Sequence, residues 1–338
     1  MKKYKTAVLF TGSGGTISQE VAIIDQLIEK GKLTLDENET FLIASGAGAI
    51  TLAAINACFR NVKPCSWESF YKDSFLKSVS NEDTFLKVDP VHWITLPQRK
   101  LYSDFLKNAG FSSISNLPFD SAILTTSVNE NKPTWLKSYA KKEKDIALVD
   151  ILLASSAIPV LFPTQQLNEI TNNISSKFMN AYYEGAMPGI LQKFRKQLKK
   201  ITMEHGPFDQ IFIISPKRLY NYSPLINHDF SMMLPQERFQ FNQFLNQVSL
   251  HGFLTFLIKL EKANSKNKLA KSISVSIPDI DEDFGLLDYS NQMDKYETTN
   301  KWMEENPARL TTDLSAFIKE IAFIPSFSED FYSFREEN

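Results

Sequence analysis

The feature that most constrains this chain is a unit that occurs twice near its start: a short apolar run, a glycine turn, then apolar residues at helical spacing. Lys5 to Thr11 is rich in β-formers and stops at Gly12-Ser13-Gly14-Gly15, after which Val21, Ile24, Leu27 and Ile28 recur at helical intervals. Thr40 to Ala44 is a second apolar run, broken at Ser45-Gly46-Ala47-Gly48, and Ile50, Ala53, Ala54 and Ala57 then mark one helix face. Two strand-turn-helix units in succession predict an α/β fold with a parallel sheet covered by helices.

Further along, Asp120 to Val128 reads as a strand and Ile146 to Leu153 as a helix that leads into Ala154-Ser155-Ser156-Ala157-Ile158-Pro159. Phe178 to Tyr183 reads as a strand ending at Glu184-Gly185-Ala186. The unbroken run Ile211-Phe212-Ile213-Ile214 within Gln210 to Ser215 predicts a strand buried on both faces. Ile273 to Pro278 is a further strand, Gln236 to Leu260 one or two helices, and a helical segment follows from Asn291. Residues 63–118, with Trp67, Phe70, Tyr71, Phe75, Leu101 and Phe105 at helical intervals, predict a helical insertion packed on the sheet or serving as an apolar lid.

Composition excludes several classes. With 43% hydrophobic residues, 22% charged residues and a net charge of -2 over 338 residues, nothing in the overall balance points to nucleic acid. The segment Lys259 to Lys271 holds five lysines and reads as a solvated helix end or loop; an anionic-lipid patch would need more basic charge gathered on one face. Cys58 and Cys65 are the only cysteines, and His92, His205, His228 and His251 form no spacing suited to a metal or a triad. No metal or cofactor is therefore expected. The apolar run Ala7 to Phe10 is too short for a signal peptide, and no stretch approaches the roughly 20 apolar residues of a membrane span. A soluble, cytoplasmic or otherwise intracellular protein without a transmembrane segment is the expectation.

Four separated segments, in order, resemble the patatin-like phospholipase family. Phe10-Thr11-Gly12-Ser13-Gly14-Gly15-Thr16-Ile17 is similar to its oxyanion loop, where glycines let backbone N–H groups turn toward a developing oxyanion. Ile43-Ala44-Ser45-Gly46-Ala47-Gly48-Ala49 is similar to its G-x-S-x-G nucleophile elbow, a tight strand-to-helix turn that needs small neighbours. Ala154 to Pro159, with Phe162-Pro163 following, resembles a family motif of nearly the same spelling. Tyr183-Glu184-Gly185-Ala186 resembles the turn that supplies the family's aspartate. The resemblance covers about Lys3 to Ala308, leaving 309–338 as a C-terminal extension, and implies a three-layer α/β fold with a mainly parallel central sheet flanked by helices.

The resemblance also implies a Ser/Asp dyad, in which the serine attacks an ester carbonyl and the aspartate assists its deprotonation. Alignment on Gly48 places Gly46 at the nucleophile position and Ala44 at the opening glycine, so no side chain is present to attack. Glu184 keeps a carboxylate at the aspartate position but adds a methylene, and a misplacement of roughly 1 Å costs on the order of 100-fold in rate. Thr16 and Ile17 stand where the family has a basic residue and a final glycine. The expectation is a degenerate member retained for a ligand-binding or structural role, with a lipid or acyl ligand and self-association as candidate partners. The enzymatic alternative is a serine ester hydrolase that uses Ser45 with Glu184. The glycine loop also invites a dinucleotide-binding reading with Asp36 on the ribose, but Ile17 replaces the third glycine of that fingerprint.

Overall fold

The computed structural model describes residues 2–12, 14–61, 96–127, 132–157, 165–167, 181–184, 190–216, 250–280 and 291–322. The first unit is β1 (Thr6–Phe10) and α1 (Ile17–Glu29); the second is β2 (Thr40–Ser45) and α2 (Gly48–Asn61). Then come α3 (Leu96–Asn108), β3 (Asp120–Ser127), β4 (Lys132–Lys137), α4 (Leu148–Ser156), β5 (Gln165–Gln166) and β6 (Ala181–Glu184). The chain continues through α5 (Ile190–His205), β7 (Phe208–Ile214), α6 (Leu250–Asn267), β8 (Ala270–Ser276), α7 (Gln292–Glu305), β9 (Thr312–Asp313) and α8 (Leu314–Ala322).

Of the region 63–118, α3 and a 3-10 turn at Ile114–Asn116 are described, whereas Trp67, Phe70, Tyr71 and Phe75 lie outside the described residues. Phe239, Phe241, Phe244 and Val248 of the region 236–260 lie outside them as well. The basic segment 259–271 begins within α6, a helix that ends at Asn267.

One mixed sheet organises the molecule. Strands β3, β2, β1, β7 and β8 run parallel in that order, and β4, β5, β6 and β9 add antiparallel pairings at the margins. The central strands β1 and β2 are apolar on both faces because helices cover both. Alternation along each strand divides the core into two. Val8, Phe10, Leu42, Ala44, Phe212 and Ile214 pack with α1, α2, α3 and α4. Ala7, Leu9, Phe41, Ile43, Ile211 and Ile213 pack on the other side with α5, α6 and α8. Each of these large side chains stabilises the fold by roughly 1.5–3 kcal/mol through the area it removes from water. The result is a three-layer α/β fold with a mainly parallel central sheet.

Two departures from the sequence reading have physical causes. Helix α1 is amphipathic in sequence, yet Ser18, Gln19 and Glu20 are as buried as its apolar residues, because α7 lies over the side of Ser18 and Asp25 while Glu20 faces α2, where it accepts from the Thr51 hydroxyl at 2.7 Å. Tyr296 of α7 donates its hydroxyl to Asp25 of α1. Helix α5 has no counterpart among the segments read from the sequence, although Phe194, Leu198 and Ile201 lie buried at helical spacing.

The N-terminal ends of the parallel strands are tied by polar contacts. Asp120 accepts hydrogen bonds from the Tyr4 hydroxyl and the Lys2 ammonium, both at 2.7 Å. Burial, and then the bond to Asp120, pushes the Tyr4 phenol above its ordinary range, so it remains a donor. His205 lies with Nδ1 at 2.7 Å from the Lys2 carbonyl. A carbonyl only accepts, so Nδ1 carries the proton.

Candidate functional site

The two glycine turns meet at the opposite end of the sheet, where β1 and β2 finish. Gly46 sits between Ser45, the last residue of β2, and the start of α2, with φ of +58°. That conformation reverses the chain in a single step and is easy only without a Cβ. Gly46 O accepts a hydrogen bond from Ala49 N at 3.1 Å, which locks the turn onto α2.

Gly12 leaves β1 with φ of +88°, and a Cβ there would lie 3.0 Å from Ser45 O. Gly48 is tighter still: its Cβ would fall 2.7 Å from Phe10 Cβ, 3.1 Å from Phe10 O and 3.3 Å from Gly12 N. The spacing of these glycines therefore has a steric basis. Each turn occupies the volume that a side chain on the other would need.

Beyond Gly12, Ser13 lies outside the described residues, and Gly14–Thr16 form a 3-10 turn that runs into α1. Thr16 makes no side-chain cap to that helix. A distant residue takes over the task. The Gln292 side chain accepts from Ser18 N at 3.4 Å and donates to Gly15 O at 2.6 Å, and Lys295 Nζ lies 3.4 Å from the same carbonyl. Because C=O and N–H of a trans peptide point opposite ways, a Gly15 carbonyl aimed at α7 turns the Thr16 N–H away from it. Gln292 thus fixes the orientation of the 15–16 peptide, a role that no local sequence signal announces. Gln292→Leu is expected to lower stability by about 2 kcal/mol, measured by urea unfolding, through loss of a cap and a buried amide bond.

The segment Ala154-Ser155-Ser156-Ala157 forms the end of α4, while Ile158 and Pro159 lie outside the described residues. Ser155 Oγ is buried 3.3 Å from Gly46 O and 3.0 Å from Leu124 O, so its proton is shared between the Gly46 turn and β3. That contact gives the motif a structural task. It ties the turn to the neighbouring strand.

Strand pairing brings Glu184 to the same place. Residues 122–124 of β3 pair with β2 on one edge and β4 on the other, and residues 125–127 pair with β4 and β6. A strand has only two edges, so β6 occupies the edge of β3 that β2 has just left. Ser45 stands opposite Leu124 and Glu184 opposite Thr125, an axial offset of one residue or about 3.3 Å. The main chain of Glu184 fills the slot that residue 46 would take if β2 continued straight. Gly185 and Ala186 lie outside the described residues.

Ser45 itself is 3% exposed and ends a strand, sharing by alternation the face of Phe41 and Ile43. Asp36 lies elsewhere: it accepts from Asn38 N at 2.7 Å in the turn before β2, at the end of the sheet away from Gly12. Among the described residues, no group of three or more His, Cys, Asp or Glu side chains could hold a metal ion. Among them also, no helix is long and apolar enough to cross a membrane.

No family model matches the chain, and no curated protein matches it. Among solved structures, VipD from Legionella pneumophila aligns at 12% identity over 90% of this chain and 67% of VipD, with a TM-score of 0.33. A likeness of that size carries nothing about the site, and the fold assignment rests on the strand order and layers described above.

Proposed function

We propose that this chain is a degenerate patatin-like protein that does not hydrolyse lipid esters and keeps the fold for a ligand-binding or structural role, self-assembly included. One observation carries the reading: the residue at the apex of the strand-to-helix turn, where a nucleophile elbow presents its serine, is Gly46 at φ +58°. The proposed site retains the glycine loop Gly12, Ser13, Gly14 and Gly15 and a carboxylate residue, Glu184, whose main chain adjoins the turn. A loop whose N–H groups point to one place can hold a carboxylate or ester oxygen without any nucleophile.

The second reading is a lipid acyl hydrolase that uses Ser45 with Glu184. In its favour, Ser45 is one residue from the apex. Against it, Ser45 is a buried strand residue whose carbonyl is wedged beside Gly12, so exposing its hydroxyl requires the turn to shift register.

Hydrolysis of a short-chain chromogenic ester and of a phospholipid separates the two. The parent is expected at the buffer background, and Gly46→Ser to show a gain over it that Glu184→Ala removes. Activity in the parent that Ser45→Ala abolishes would refute the degenerate reading. Retention of a labelled lipid without turnover favours binding, whereas neither retention nor turnover favours a structural role.

A further inference from the structure

The outer surface of the α5 and α6 layer gathers basic charge that neither helix shows alone. Helix α5 carries Lys193, Arg195, Lys196, Lys199 and Lys200, and at 100° per residue these span an arc of about 160°. Phe194, Leu198 and Ile201 occupy the opposite side and are buried against the sheet. Helix α6 packs beside α5, with Phe256 against Phe194 at 6.3 Å between ring centroids. Its Lys259, Lys262 and Lys266 follow i, i+3, i+7 spacing within about 60°, away from the buried Phe253, Leu257 and Leu260. Both basic stripes therefore lie on the outward side of one layer.

Little acidic charge offsets them among the described residues of the two helices. Glu204 bridges Lys200 at 3.8 Å, and Glu261 accepts from Ser315 Oγ at 2.6 Å. The neighbouring Lys137 has its pKa lowered by burial first and by the Lys200 charge second, as expected where positive groups crowd. The chain as a whole carries -2, so this is a local concentration rather than a basic protein.

The same surface presents an apolar side chain. Met203 is 77% exposed and falls near the middle of the α5 basic arc, between Arg195 and Lys199 on one side and Lys196 and Lys200 on the other. An apolar group amid lysines suits a surface that is anionic outside and apolar just beneath. Nucleic acid offers no such layer, and no aromatic side chain for base stacking stands on this arc.

We propose that the outer face of α5 and α6 docks on an anionic lipid bilayer, with the lysines against the headgroups and Met203 entering the acyl boundary. The docking does not depend on whether the glycine turns bind or cleave anything. Each basic residue near an anionic leaflet is worth roughly a factor of five in partitioning, so removing three changes binding on the order of 100-fold.

Co-sedimentation of the full chain with vesicles tests this, comparing phosphatidylcholine containing 30% phosphatidylserine with phosphatidylcholine alone. Binding is expected only to the anionic vesicles and to weaken as salt rises. Lys196→Ala/Lys199→Ala/Lys200→Ala is expected to lower it on the order of 100-fold, and Met203→Asp by several-fold. Lys30→Ala/Lys32→Ala, on the opposite layer, leaves it unchanged. Circular dichroism and Tm establish that each variant is folded, as these side chains are largely exposed. Absence of binding, equal binding to neutral vesicles, or indifference to the triple variant overturns the proposal. So does binding to duplex DNA, lost in the triple variant, with no binding to vesicles.

Discussion

Gly48→Ala is expected to destabilise the protein by about 2 kcal/mol, although alanine is the better helix former. Propensity alone predicts a gain of up to about 1 kcal/mol at an α-helical position. The new Cβ, however, would stand 2.7 Å from Phe10 Cβ and 3.1 Å from Phe10 O. Neither atom is the free end of a flexible side chain, so β1 and α2 must separate, at a cost of about 3 kcal/mol. The steric clash outweighs the gain in propensity.

Two controls isolate the cause. Gly31→Ala, with φ of +64° and nothing within 4 Å, is expected to lose only about 1 kcal/mol through backbone strain. Phe10→Ala keeps the Cβ that Gly48→Ala would strike, so it should not rescue that variant. Urea unfolding measures the parent, the three single variants and Phe10→Ala/Gly48→Ala; a Gly48→Ala protein as stable as the parent would show that the turns are not interlocked.

Arg99→Met is expected to cost about 3 kcal/mol. Asp150 lies in the first turn of α4 with its side chain only 3% exposed, and Arg99 of α3 places Nη1 2.7 Å from its carboxylate. Arg99 is partly exposed, but removing it leaves the buried Asp150 charge in a poorly solvated place, which costs more than the pair itself contributes. The helix N-terminus softens the loss but does not replace the guanidinium. Arg99→Met/Asp150→Leu should recover most of the stability, because an apolar pair needs no compensating charge. If the double variant unfolds as readily as Arg99→Met, the loss is one of packing between α3 and α4.

Much of the central sheet is legible locally. The runs at Lys5–Thr11, Thr40–Ala44 and Gln210–Ser215 lie on β1, β2 and β7, since strands covered on both faces must be continuously apolar. The short partners β5 and β9 leave almost no periodic signal at two residues each. Helix α5 does leave one, in Phe194, Leu198 and Ile201 at helical spacing.

The glycine turns are legible as turns, because left-handed backbone and close approach both select glycine. Their mutual contact is not. Gly12 and Ser45 are distant in sequence, and only pairing of β1 with β2 brings the first glycine turn against the second. The approach of Glu184 likewise depends on β6 taking the edge of β3 that β2 leaves, a matter of register that no local pattern encodes.

Local sterics and periodicity were thus enough to specify the strand-turn-helix units, the apolar faces and the glycine at position 46. Which of those pieces became neighbours was settled by folding. The closed layers buried the polar residues of α1 under α7 and α2, assigned the capping of that helix to Gln292, and set the lysines of α5 and α6 on one outer face. Such outcomes depend on pairings between segments far apart in the chain, where the energy resides in contacts that exist only after the layers have closed.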